Sequence, residues 1–131
     1  MITEQFGLGV VSSYIEFLNN GNFEGIASLY SKNAIIEDPI GSDKIIGRTA
    51  IQDFYRQAVL GVHQVNQLGE VRVASNEIAF PFEVVLAKDP NLAISVIDIF
   101  KINAEGEIDS MRAFWGPGNV KSVSKPAPIT A

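Results

Sequence analysis

Apolar positions along the chain change period once. In the first half they recur every three or four residues, and beyond residue 62 they alternate. Val10, Val11, Tyr14, Phe17 and Leu18 form one helical face behind a capping Thr3, and Gly21 suits the left-handed residue that follows a helix end. Asn22 is placed to cap a second, short helix carrying Ile26, Leu29 and Tyr30. The β-rich run 34–38 is closed by Pro39 and Gly41. A third helix is predicted after Gly47, with Thr49 and Gln52 at capping-box spacing and Ile51, Phe54, Tyr55 and Val59 as its apolar stripe.

Strands are predicted over 64–74, 77–87, 93–103 and 107–115, separated by turn formers at Ser75-Asn76, Asp89-Pro90-Asn91 and Ala104-Glu105-Gly106. Helices first and strands afterwards predict an α+β domain, its helices packed on one face of a curved sheet. That domain is expected to occupy residues 1–119. Periodicity fades after Pro117, so 120–131 is expected to be a flexible tail.

Composition narrows the chemistry. Ten Lys+Arg stand against fifteen Asp+Glu, a net charge of −5, which leaves no basic stripe to displace counterions from nucleic acid. Nor is there a polybasic patch for a membrane surface, or an apolar run near the roughly 18 residues of a membrane span. Cysteine is absent, which excludes disulfides, thiol catalysis and thiolate metal sites. The first basic residue is Lys32, so the amino terminus lacks the charged start of a secretory signal, and a cytoplasmic protein is expected. His63, the only histidine, falls in a predicted loop and supports neither a triad nor a His-rich metal site. Gly7-Leu8-Gly9 lies inside a helical pattern and is no phosphate cradle. Neither a metal nor a cofactor is expected.

Three residues remain that carry chemistry. In the strand 93–103 one parity reads Ile94, Val96, Asp98, Phe100, Ile102, so a lone carboxyl sits on an apolar face. Burying a carboxylate without a partner costs several kcal/mol, so Asp98 either meets a cation, such as Arg112 on the next strand, or keeps a proton and donates it. Tyr14 lies on the apolar stripe of the first helix, where its buried hydroxyl needs a partner. It is a core tyrosine bonded to the backbone or a donor for a developing oxyanion. Asp38 shares parity with Ala34 and Ile36 at a strand end before Pro39; it is either a solvated loop residue or a carboxylate at a cavity mouth, able to act as a base. Phe80, Phe82 and Trp115 are core or pocket walls.

Together these residues resemble a known family. Tyr14-Ile15-Glu16, Gly21-Asn22-Phe23-Glu24-Gly25-Ile26, Glu37-Asp38-Pro39-Ile40-Gly41 and Ala50-Ile51-Gln52-Asp53-Phe54-Tyr55 occur in the order and spacing of the bacterial ketosteroid isomerases, of the nuclear-transport-factor-2-like superfamily. Val71-Arg72-Val73-Ala74, Phe80-Pro81-Phe82, Ile97-Asp98 and Met111-Arg112-Ala113-Phe114-Trp115 continue the match, which covers residues 10–119. Residues 60–69 carry no family signature.

The resemblance implies a cone-shaped curved sheet with three helices over it, assembled as a homodimer. It implies a steroid Δ-isomerase that moves a β,γ double bond of a 3-oxo-Δ5-steroid into conjugation without a cofactor. Asp38 would be the general base, Tyr14 and Asp98 the oxyanion hole, Tyr30 and Tyr55 the hydrogen-bond network behind Tyr14, and Phe82 and Trp115 the walls of the steroid pocket. Ketosteroid isomerases are themselves the standard illustration of a carboxylic acid held neutral in an apolar site. The expected partner is a small apolar ketone. Two other classes fit the same cone fold: a non-catalytic module that binds a small apolar ligand, and a polyketide-cyclase-like or hydrolase-like enzyme.

Overall fold

The computed structural model describes residues 1–124. Helix α1 (Glu4–Asn19) starts where the sequence predicts it, with the Thr3 hydroxyl accepting the Phe6 N–H at 3.0 Å. It buries Gly7, Val11, Tyr14 and Leu18 along one face. Gly21 takes the positive φ, 66°, that turns the chain, and Asn22 then caps α2 (Phe23–Ser28) through the Gly25 N–H at 2.9 Å. Tyr30, read as the end of that helix, instead opens strand β1 (Tyr30–Glu37). After the short β2 (Ile45–Ile46) comes α3 (Arg48–Ala58). The capping box expected from Thr49 and Gln52 does not form: Gly47 is the cap residue and no side chain bonds the helix start.

The remaining strands are β3 (Val62–Gln67), β4 (Arg72–Ala74), β5 (Glu77–Leu86), β6 (Asp89–Ile102), β7 (Ile108–Phe114) and β8 (Val120–Ser122). The predicted strand 64–74 is thus two, both paired to β5 and interrupted where Leu68 N–H reaches the Pro81 carbonyl. Conversely, Asp89-Pro90-Asn91 belongs to the long β6, because the turn falls one step earlier, at Ala87-Lys88. Local turn formers mark a bend without saying which residue takes it. Strand β8 pairs with β6 through Leu92–Ile94, so pairing continues past residue 119; the rest of the expected tail, 125–131, lies outside the described residues.

The sheet is mixed and curved, in the order β2-β1-β7-β6-β5-β3, with β1 parallel to β7 and the other pairs antiparallel. The helices pack over it. Their buried residues Val11, Tyr14, Leu18, Ile26, Ile51 and Tyr55 meet Ile36, Phe80, Phe82, Phe100 and Met111 of the sheet. This is the architecture read from the sequence. Among the described residues no helix is long and apolar enough to cross a membrane.

One glycine sets how closely α1 approaches the sheet. A Cβ at Gly7 would lie 2.5 Å from a Val73 methyl of β4, and a β-branched valine has little freedom to yield. Gly7→Val is therefore expected to lower the unfolding free energy by about 1–3 kcal/mol, the usual cost of overpacking. Urea melts would read it as a reduced midpoint at unchanged slope.

Candidate active site

Strand pairing brings the two carboxyl groups to one place. On β6 the alternation is as predicted: Val96, Asp98, Phe100 and Ile102 are buried while Ile97 and Lys101 are exposed. Asp98 stands opposite Phe80 of β5 on one side and Ala113 of β7 on the other. Strand β1 runs beside β7 with Glu37 opposite Arg112, so the next residue, Asp38, arrives at the level of Ala113. Ile40 N–H holds that loop to the Ala113 carbonyl at 2.9 Å. Trp115 follows on the face of Ala113 and donates its indole N–H to Asp38 Oδ1 at 2.8 Å.

Helix α1 supplies the third group from above. The Tyr14 ring meets Phe100, Phe80 and Tyr55 edge-on, with ring centres 5.1, 6.0 and 6.1 Å away. Its hydroxyl bonds Tyr55 at 3.0 Å, and Tyr55 bonds Tyr30 at 2.7 Å, so three buried phenols form a chain that runs from the cavity to the start of β1. The backbone partner considered for Tyr14 is not used. Tyr30 reaches this chain because it begins a strand; on α2 it would have been elsewhere.

The cavity has a volume of about 190 Å³ and is lined by Tyr14, Asp38, Tyr55, Asp98, Phe82 and Trp115 among aliphatic side chains. Phe80, the alternative wall, lies behind it against Tyr14 and Phe100. Sequence reasoning missed Phe54 and Ala58 of α3 and Val62 of β3 as cavity residues. Val62 lies in the stretch without a family signature, and nothing local marks it. Val96 and Ile94 also line the cavity, and they share the parity that singled out Asp98. A larger depression of about 470 Å³ lies between the amino-terminal residues and the β6–β7 turn, and it has no acidic or basic side chain in its lining.

The two aspartates differ electrostatically. Asp98 is 1 % exposed and, among the described residues, neither of its carboxyl oxygens meets a hydrogen-bond partner. The Arg112 salt bridge is ruled out by register: Arg112 stands opposite Ile99, points outward and lies over the Phe114 ring at 5.5 Å. Burial pushes the Asp98 carboxyl well above the ordinary carboxylate range, and the neighbouring Asp38 adds to the rise. The Tyr14 hydroxyl pulls the other way without closing to hydrogen-bonding distance. Asp38 is half-buried; its carboxyl is also raised by burial, and the Trp115 hydrogen bond opposes the rise. All three phenols are pushed well above their usual value, by burial first, and for Tyr14 next by the nearby Asp98 carboxyl. A buried carboxyl whose proton is held more tightly than usual, a buried phenol and a second, half-buried carboxyl thus face one cavity. His63 is exposed and outside it. Among the described residues no three His, Asp or Glu side chains converge as a metal site.

Asp98 should make the protein less stable as pH rises. Its proton is bound more tightly in the folded chain than in the unfolded one, so its contribution is complete below about pH 4 and is lost as pH rises towards the folded-state value. Thermal melts from pH 4 to 8 are expected to show a smaller loss of Tm in Asp98→Asn than in the unsubstituted protein.

The sequence profile of the SnoaL-like domain family matches residues 11–111, a span that contains Tyr14, Asp38 and Asp98. The chain is 39 % identical over 111 residues to the steroid Delta-isomerase of Nocardioides simplex, a match that spans 84 % of this chain and 89 % of that protein. It is 24 % identical over 125 residues to the epoxide hydrolase LasB of Streptomyces lasalocidi, across 91 % of this chain and 44 % of LasB. A solved structure of SalBIII, an epoxide hydrolase/cyclase-like enzyme in pyran ring formation in polyether salinomycin, superposes with a TM-score of 0.81 at 30 % identity, over 94 % of this chain and 100 % of that one. Fold, profile and relatives agree with the resemblance read from the sequence: the chain belongs to the SnoaL-like domain family of the nuclear-transport-factor-2-like superfamily.

Proposed function

We propose that the protein is a steroid Δ-isomerase, moving the β,γ double bond of a 3-oxo-Δ5-steroid into conjugation. The observation that carries this reading is the pairing, in one apolar cavity, of an accessible carboxylate with a buried, unpartnered carboxyl and a buried phenol. The likeness to the Nocardioides simplex enzyme supports it. Asp38 removes a proton from the carbon between the ketone and the double bond. The electron pair left on that carbon moves into the ketone, and negative charge collects on its oxygen. Tyr14 and Asp98 meet that oxygen with hydrogen bonds in an apolar cavity, where such donors act more strongly than in water. Asp38 then returns the proton two carbons further along, and the charge collapses into the conjugated enone.

Supporting roles follow the same geometry. Tyr55 and Tyr30 orient the Tyr14 hydroxyl towards the cavity; Trp115 fixes one oxygen of Asp38 and leaves the other for the proton. Phe82 and Trp115 present apolar surface to the steroid rings. The homodimer implied by the resemblance has an apolar surface available on the outer face of the sheet, where the cross-strand partners Ile97 and Phe114 are 47 % and 40 % exposed.

A second reading, acid–base opening of an epoxide, is favoured by the likeness to LasB and SalBIII. The same cavity suits it, since a neutral acid can protonate the epoxide oxygen while Asp38 deprotonates the attacking hydroxyl. Substrate decides between them. Purified protein mixed with a Δ5-3-ketosteroid is expected to generate conjugated-enone absorbance; a folded protein with no turnover above buffer, but active on a hydroxy-epoxide, would reverse the assignment.

Asp38→Asn is expected to lower kcat by about 10²–10⁴, the usual worth of a general base. Tyr14→Phe should cost about 10²–10³, the effect of one lost oxyanion donor. Asn at position 98 should be tolerated better than Ala, because an amide still donates. Since Asp38 must be ionised to act and burial raises its pKa, kcat/KM should fall on the acid side at a pH above the ordinary carboxylate value of about 4. A pH–rate profile that stays flat down to that value would contradict the assignment of Asp38 as base.

A further inference from the structure

Glu83 is a buried acid that the proposed reaction does not use. On β5 its neighbours Phe82 and Val84 line the cavity, so Glu83 points to the outer face of the sheet, yet it is only 1 % exposed. Each of its carboxylate oxygens accepts one hydrogen bond: Oε2 from the Asn66 side chain of β3 at 2.9 Å, and Oε1 from the Ser124 backbone N–H at 3.1 Å. Asn66 is itself held by Gln64 at 2.9 Å. One carboxylate therefore ties together β3, whose Val62 lines the cavity, and the end of the described chain, just past β8.

The segment from Trp115 to Ser124 is held by the β8–β6 pairing, by the Val123 N–H donating to the Asn91 carbonyl at 3.0 Å, and by a side-chain contact at each end. At one end the Trp115 indole bonds Asp38; at the other Ser124 bonds Glu83. Between them lie a turn closed by Gly116 N–H to Asn119 Oδ1 at 2.9 Å and the three-residue β8, all of whose side chains are exposed. Burial contributes almost nothing to a strand of that kind, so its hydrogen bonds decide where it sits. Glu83 thus holds the far end of the segment as Asp38 holds the near end, each by accepting an N–H on a carboxyl oxygen. Val120 of β8 pairs with Ile94, a cavity residue, so displacement of this strand is felt at the cavity wall.

We propose that Glu83 is a positioning residue that holds the C-terminal strand from the outer face of the sheet and so seats Trp115 against Asp38. Its effect on turnover rests on the isomerase reading; its effect on Trp115 does not. Trp115 is the only tryptophan in the chain, so fluorescence reports its seating directly. In Glu83→Ala, Trp115 emission is expected to shift to the red and acrylamide quenching to rise. The loss in kcat/KM should be about tenfold, below the ~10²-fold that a 1 Å misplacement near the chemistry can cost. Glu83→Gln should recover most of both signals, because its side-chain oxygen still accepts the Ser124 N–H. Ser124→Pro deletes that N–H, leaves Glu83 in place and avoids the core, so it gives the same test should Glu83→Ala fail to fold. Unchanged emission and quenching in Ser124→Pro, or in a folded Glu83→Ala, overturns the proposal. If the unsubstituted protein turns over no ketosteroid, the isomerase reading falls while the emission shifts still decide the role of Glu83.

Discussion

A carboxyl group whose two oxygens are buried and unpartnered, as at Asp98, is tolerable only if it keeps its proton, and much of the cavity follows from that requirement. Every near neighbour of Asp98 within the sheet is apolar: Phe80 and Ala113 across the strand pairs, Val96 and Phe100 along the strand. A cation at any of these positions would turn the group into an ordinary ion pair. Leaving a buried polar group unsatisfied costs about 1–3 kcal/mol, which the rest of the apolar core must offset.

The second carboxyl of the cavity, Asp38, lies in the same field but in a different setting. It sits one residue beyond the end of β1, half-buried, with an indole N–H favouring its ionised form, whereas Asp98 sits mid-strand and fully buried, with the Tyr14 hydroxyl only partly opposing the effect of burial. Ala113 stands between the two strands that carry them, and its small side chain leaves the space they share. Tyr14 enters from the helix layer, on the same buried face of α1 as Gly7, whose close approach to β4 seats the helix against the sheet.

Relatives with two chemistries, a steroid isomerase and epoxide hydrolases, surround this chain, so the fold alone selects neither. The shape of this cavity is set by residues such as Phe54, Ala58, Val62 and Ile94, ordinary apolar residues whose position, not their type, puts them in its wall.

The amino-acid sequence by itself determined the elements whose signals are local. Helices α1 and α2 begin at the Thr3 and Asn22 caps, and alternation on β6 isolates Asp98 on an apolar face, because caps and parity depend on residues a few positions apart. Where the signal was a competition between local options, the reading failed: Thr49 and Gln52 cap nothing, Tyr30 is a strand residue, and 64–74 breaks into two strands. Only the tertiary structure decided that Arg112 faces away from Asp98, that Trp115 bonds Asp38 across 77 positions of chain, and that Ser124 ends against Glu83. The physical reason is register. Parity tells which face a side chain takes, but its neighbours across the sheet are set by how strands slide against one another, and that is settled by packing of the whole core.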